Sequence, residues 1–209
     1  MTQLSPMISK MQKRAGSIYF PHNACIISVD TRELLLKSQD DIFLSSWLSK
    51  EEEAVLQSFK MRKRQLEWLG GRICAKRAAL SLSQKDDTVQ PHSFRVINTK
   101  DGRPTLSDTA NLLHNSSLEI SISHSSDYAC ALAASCYCGI DIQAPKDTLV
   151  RVYDRYCHEK EEACLRSFSS MKRIHLLALI WAAKEAIRKT LSHSYLPGFL
   201  EIELNNGKK

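Results

Sequence analysis

No apolar run in the 209 residues approaches the roughly 18 that a membrane span needs. The longest, Leu176 to Ala183, is followed at once by Lys184 and Glu185, so no bilayer-crossing helix and no membrane partner are expected. Met1 to Gly16 carries Lys10, Lys13 and Arg14 with no apolar stretch behind them; a mobile lead-in over 1–16 is expected, not a secretory signal. There are only 7 glycines, none spaced as G-x-x-x-x-G-K or G-x-G-x-x-G. That excludes P-loop and dinucleotide-binding folds, whose backbone N–H groups cradle phosphates at those spacings. No G-x-S-x-G elbow presents a serine for a catalytic triad. Of 7 cysteines only Cys136 and Cys138 are close, and C-x-C without a second pair at zinc spacing is a poor structural metal site. No recognised motif or interleaved aromatic and basic stripe supports nucleic-acid binding.

At 43% hydrophobic the chain can close a sizeable core, as one domain or two small ones. The odd cysteine count, with members such as Cys130 among alanines and leucines, suits a reducing cytoplasm. Lys and Arg exceed Asp and Glu by 29 minus 23, a net +6, which favours a phosphorylated ligand or an acidic partner.

Ala24 to Val29 is apolar and β-branched and reads as the first strand of a sheet. Asp40 to Trp47 and Ser49 to Phe59 read as helices, with Ser49 and Glu52 spaced as a capping box. A basic cluster, Lys60 to Arg64, leads into a helix from Gln65 to Leu82 in which Leu66, Leu69 and Ile73 recur near helical spacing. After a polar connection from Ser83 to His92, Phe94 to Asn98 is a strand turned by Asp101-Gly102 and closed by Pro104. A loop through Asn115-Ser116-Ser117 precedes strands at Leu118–Ser123, Tyr128–Ser135 and Tyr137–Ile142. Helices follow from Val150 and from Lys172 to Leu191; Leu196-Pro197-Gly198 breaks the second, and Phe199 to Leu204 alternates like a half-exposed strand. The order implies two similar α/β halves, 17–138 and 139–209. Each has a helix with Trp followed by Ala-Lys-charged-Ala, at Trp68 to Ala78 and at Trp181 to Arg188.

Several residues bear chemistry. Glu185 and Lys189 are four apart on a helix and so are neighbours; the pair is either a solvated salt bridge or part of a site. Asp141 interrupts an apolar strand, and two carboxylates drawn together, Asp141 and Glu185, would need a cation between them; Mg²⁺ takes one or two carboxylates, with waters and substrate phosphates completing its shell. The alternative is that each is satisfied separately at an element end. Ser121-Ile122-Ser123-His124-Ser125 places hydroxyls and an imidazole after a strand, either as donors to phosphate or as a capped turn. Arg62, Lys63, Arg72, Lys76 and Arg103 could neutralise phosphates or simply face water.

Gly71-Arg72 with Lys76, Gly102-Arg103-Pro104, Ser121 to Ser125, Gly139-Ile140-Asp141-Ile142, and Trp181-Ala182-Ala183-Lys184-Glu185 through Lys189 occur in one order. In that order and spacing the chain resembles the 4′-phosphopantetheinyl transferases, in particular their larger, pseudo-dimeric class, from about Ser49 to Leu204. The resemblance implies an α/β fold of the α+β type: two pseudo-symmetric halves, each a small, mostly antiparallel sheet packed with helices. It implies an enzyme that moves 4′-phosphopantetheine from coenzyme A to a serine of an apo acyl or peptidyl carrier protein, releasing 3′,5′-ADP. Under it Asp141 and Glu185 hold Mg²⁺, and Glu185 takes the serine proton. Lys189 contacts the pyrophosphate and assists the leaving group, Ser123 and His124 hold coenzyme A phosphates, and Lys63, Arg72 and Arg103 are cations around coenzyme A. The family's frequent G-I-D-I-E reads here with Gln143, and N-I-S-H-S with Ser121. The second half is expected to be shortened, because family members continue past the strand at Phe199 to Leu204. Two fused halves make a monomer sufficient. The rival expectation is a non-catalytic coenzyme A or carrier-binding module derived from the family.

Overall fold

The computed structural model describes residues 17–20, 23–82, 89–107, 118–166 and 170–204. The lead-in over 1–16, the first six residues (83–88) of the polar connection, and the loop Asn115-Ser116-Ser117 lie outside the described residues. The chain forms two compact units, Met1–Cys138 and Gly139–Lys209.

In the first unit a four-stranded antiparallel sheet runs in the order β1 (Ser17–Phe20), β2 (Ala24–Asp30), β6 (Tyr128–Ala134), β5 (Glu119–Ser125). Alternate residues of β2, among them Cys25, Ile27 and Val29, turn inward, as the two-residue period of a strand requires. A separate hairpin pairs β3 (Arg95–Asn98) with β4 (Pro104–Ser107) through a turn whose Gly102 has φ +81°, a conformation that favours glycine. Three helices precede the long one: α1 (Leu34–Lys37), α2 (Asp41–Trp47) and α3 (Lys50–Ser58). Ser49 caps α3 in a complete capping box with Glu52.

The long helix α4 (Arg62–Leu82) lies on the sheet, and Trp68 to Lys76 are all buried. Gly70 and Gly71 permit this. A Cβ on Gly70 would stand 2.9 Å from the Ala129 Cβ, and one on Gly71 would stand 2.9 Å from Ile122 Cγ2. A helix buried on nearly every side must neutralise any charge it carries. Lys76 Nζ therefore donates to Glu52 Oε2 at 2.5 Å and to the Trp47 carbonyl at 2.8 Å, while Glu52 Oε1 accepts from Val96 N at 3.0 Å.

The second unit holds α5 (Asp147–Arg151), α6 (Glu159–Arg166) and α7 (Arg173–Leu191). Its core joins Leu149, Tyr156, Leu177 and Ile180 to Trp181 and Phe199, with the Tyr156 and Trp181 rings edge to face at 5.0 Å. Lys184 repeats the role of Lys76. Its Nζ donates to Glu161 Oε2 at 2.7 Å and to the Phe199 carbonyl at 3.1 Å, and Glu161 also accepts from His158 N and Leu204 N. In each unit the carboxylate's last donor, Val96 or Leu204, lies 20 residues beyond the lysine (96 minus 76, 204 minus 184).

A mixed α+β architecture with small antiparallel sheets was expected and is what forms. Three elements differ from their sequence reading. Ala24 to Val29 is not the first strand, since β1 precedes it and pairs with it. Tyr137 to Ile142 is irregular, not a strand: Gly139 packs on α7 and the Ile140 carbonyl accepts from Lys189, so this backbone is held by a helix. Phe199 to Leu204 forms a short 3₁₀ turn, Phe199–Glu201, and irregular chain. Its polar backbone groups go to the buried Lys184–Glu161 pair, which takes the place of a ladder. Among the described residues of the second unit there is no strand. No helix among the described residues is long and apolar enough to cross a membrane.

Candidate active site

In the second unit the chemistry gathers on α7. A Cβ on Gly139 would lie 1.9 Å from the Ala186 carbonyl oxygen and 2.5 Å from Thr190 Oγ1, so only glycine lets the chain touch the helix there. Two residues on, Asp141 reaches Lys189: Nζ donates to Asp141 Oδ1 at 2.8 Å and to the Ile140 carbonyl at 3.0 Å. The Asp141 side chain is nearly buried and that of Lys189 is 30% exposed. Glu185 lies one helical turn before Lys189 and so shares its face. The two do not bridge one another as the sequence spacing suggested. Glu185 Oε2 instead accepts from Arg188 Nη1 at 3.0 Å. Arg188 is fixed in turn by the Pro197 carbonyl at 2.8 Å and by the Phe199 ring, 4.4 Å from its guanidinium carbon. Gln143 donates to the adjacent Ala144 carbonyl at 3.0 Å.

In the first unit a cavity of about 580 Å³ opens between α3, α4, the β3–β4 hairpin and β5. Its charged lining comprises Arg64, Arg72 and Arg95 with the carboxylates Glu51, Glu52 and Glu67, and His124 lies among them. Arg72 is 9% exposed and its Nε has no hydrogen-bond partner among the described residues. Its guanidinium lies over the Trp68 ring at 4.7 Å. Burial pushes it down to about 10, opposed by the Glu52 carboxylate and reinforced by Arg64, so it remains charged at neutral pH. Arg64 Nη1 stands 3.1 Å from His124 Nε2, and His124 Nδ1 stands 3.5 Å from Glu67 Oε2. A concave site with a cation buried in its wall is suited to an anionic ligand.

The residues singled out in the sequence are distributed as follows. Arg72 and His124 share the cavity; Asp141 and Lys189 touch; Glu185 sits a turn away. Ser121 to Ser125 lies within strand β5, not on a turn, and alternation separates Ser123 from His124, which lines the cavity with Ile122. Lys63 is exposed and faces Glu67 at 3.8 Å, and Arg103 pairs with Glu119 at 2.7 Å beneath Tyr137. Neither side chain lines the cavity. Sequence reasoning missed Arg64, Glu67 and Arg188 as members of these clusters. Helical spacing offered one signal, since Arg64, Trp68 and Arg72 recur every fourth residue.

Residues 137–209 match the family model of the 4′-phosphopantetheinyl transferase superfamily. The holo-[acyl-carrier-protein] synthase of Staphylococcus haemolyticus is 31% identical over 107 residues, which are 50% of this chain and 85% of that protein. The chain belongs to the 4′-phosphopantetheinyl transferase superfamily. As a member it is an enzyme, a phosphopantetheinyl transferase. Solved structures similar to part of it include the holo-(acyl-carrier-protein) synthase of Bacillus anthracis in complex with CoA (3′,5′-ADP), with a TM-score of 0.45, 24% identity, and coverage of 53% of this chain and 91% of that one. Another is the holo-[acyl-carrier-protein] synthase of Helicobacter pylori in complex with coenzyme A, with a TM-score of 0.44, 19% identity, and coverage of 53% and 97%. Within this superfamily member, Asp141, Glu185 and Lys189 fall inside the matched segment 137–209, and the cavity residues fall before it.

Proposed function

We propose that this transferase moves 4′-phosphopantetheine from coenzyme A to the serine hydroxyl of an apo acyl or peptidyl carrier protein, releasing 3′,5′-ADP, and that it belongs to the larger, pseudo-dimeric class. The observation that carries the reading is the Gly139 contact with α7, which brings Asp141 to the helix face that also bears Glu185. The family relationship and the buried Arg72 in the cavity wall support it.

The donor set fits Mg²⁺. Asp141 and Glu185 both offer hard carboxylate oxygens. Mg²⁺ commonly takes only one or two carboxylates. When bound it would offset the negative charge that grows on the pyrophosphate. The remaining work falls to side chains. Glu185, directly or through a water, accepts the proton of the carrier serine as its oxygen bonds to phosphorus. The phosphorus–oxygen bond to 3′,5′-ADP breaks and its electron pair leaves with that product. Lys189 assists by facing the charge of the leaving group. Arg72, Arg64 and His124 bind phosphate oxygens of coenzyme A; Ser123, Lys63 and Arg103, which do not line this cavity, would meet parts of coenzyme A outside it, in the roles that the family pattern implies. The cytoplasm, with its reduced thiols, is the compartment this reading fits: all seven cysteines are free.

Calorimetry with coenzyme A and Mg²⁺, followed by chromatography for 3′,5′-ADP after an apo carrier is added, tests the proposal. Binding followed by product is expected. Binding with no product from any acyl or peptidyl carrier would favour a non-catalytic module, and no binding would overturn the ligand.

A further inference from the structure

His124 is tied on both ring nitrogens. A guanidinium can only donate, so Arg64 Nη1 at 3.1 Å makes Nε2 an acceptor and leaves the ring proton on Nδ1. That proton faces Glu67 Oε2 at 3.5 Å, an ion-pair distance if the ring is charged. Glu67 is 13% exposed at its side chain and has two other cations near it, Lys63 at 3.8 Å and Arg64 at 3.9 Å. From the other walls of the cavity come Arg72 on the same helix, Arg95 on β3, and Glu51 and Glu52 on α3, the last held by Lys76. On β6 the residue opposite His124 is the apolar Ala129.

This arrangement has a consequence for any phosphate that enters. The anion competes for the donors of Arg64, and an Nε2 lone pair left facing phosphate would repel it. Taking a proton from solvent converts Nε2 into a donor to phosphate oxygen and leaves a cation between two anions, phosphate and Glu67. We propose that phosphate binding in this cavity is proton-linked: His124 enters the complex as imidazolium, and Glu67 is the positioning residue that supplies its counter-charge. The inference rests on the reading of the cavity as the coenzyme A phosphate site, and it adds a residue and a pH dependence to that reading.

Calorimetry of coenzyme A in buffers of differing ionisation enthalpy counts the protons taken up on binding. The difference between wild type and His124→Asn cancels protons exchanged by the ligand itself. Wild type is expected to take up on the order of one proton more than His124→Asn wherever the free ring is neutral, so its affinity falls by up to about tenfold per pH unit there. Glu67→Gln should lose much of that excess, and Glu67→Ala repeats the measurement without an amide beside the ring. Equal proton counts in wild type and His124→Asn overturn the proposal, and an undiminished count in both Glu67 variants overturns the role of Glu67. Absence of coenzyme A binding by the wild type instead overturns the underlying ligand reading, and the proton linkage with it.

Discussion

Gly139→Ala probes the join between the Gly139–Asp141 segment and α7. The added methyl would sit 1.9 Å from the Ala186 carbonyl oxygen, which is helix backbone and cannot swing aside as a side chain could. Carbon and carbonyl oxygen usually approach no closer than about 3.3 Å, so the segment must withdraw by roughly 1.4 Å. The Lys189 contacts, now 2.8 Å to Asp141 and 3.0 Å to the Ile140 carbonyl, would then both exceed hydrogen-bonding range. Overpacking of this kind costs about 1–3 kcal/mol. For a chain of this length each kcal/mol lowers the melting temperature by about 2–4 °C. A displacement near 1 Å of a group that organises the reacting atoms costs about a hundredfold in rate. Calorimetric melting and transfer to an apo carrier should therefore both respond, with melting lower by several degrees and transfer slower by about two orders of magnitude. A variant that melts lower but transfers within about threefold of wild type would refute the positioning role of this segment.

Lys184→Met should cost about 3–5 kcal/mol in urea unfolding, because it leaves Glu161 buried and uncompensated, and Lys76→Met should do the same to Glu52; losses under about 1 kcal/mol in both would contradict the picture of paired internal charges. Arg72→Gln should weaken coenzyme A binding by about tenfold or more without lowering the melting temperature, since it removes a buried cation whose Nε lacks a partner among the described residues; unchanged affinity would remove Arg72 from the site. Native-state alkylation at pH 8 should label Cys136, which is exposed, before the buried thiols; burial pushes Cys138 up to about 12 and Cys157 up to about 11, and early labelling of either would contradict their burial. The Arg173 hydrogen bond lowers the Glu162 carboxyl; at Glu161 burial opposes the charge, but the Leu204 N–H, Lys184 and the His158 N–H together outweigh it. The unfolded chain thus binds more protons once the pH falls below the ordinary carboxyl value of 4.5, so urea midpoints should hold from neutral pH to that value and fall beneath it.

Helix α7, strands β5 and β6, and the turn at Gly102 between β3 and β4 were legible because periodicity and turn chemistry are local. The destinations of charged side chains were not. Glu185 and Lys189 are adjacent by helical geometry, yet Arg188 and Asp141 take them, through chain segments distant in sequence or a different rotamer choice. Tyr137 to Ile142 and Phe199 to Leu204 have strand-like composition, but strand formation needs a ladder partner and both segments give backbone groups to lysines or Glu161 instead. Glu52 was visible as a capping residue, whereas its second bond, to Lys76, depends on α4 being buried on the sheet. Gly70 and Gly71 were excluded as a phosphate loop by spacing, but their use as a close contact with β5 and β6 needed the sheet itself.

The central claim is transfer of phosphopantetheine through chemistry organised by Asp141 and Glu185. Intact mass spectrometry of an apo carrier protein incubated with coenzyme A and Mg²⁺ tests it most directly. Wild type should add the mass of one phosphopantetheine per carrier, and Asp141→Ala and Glu185→Ala should each add none on the same timescale while keeping the wild-type circular dichroism spectrum. Full modification by both variants would contradict the assignment of these carboxylates, and an unmodified carrier with the wild-type enzyme, across acyl and peptidyl carriers alike, would contradict the transfer itself.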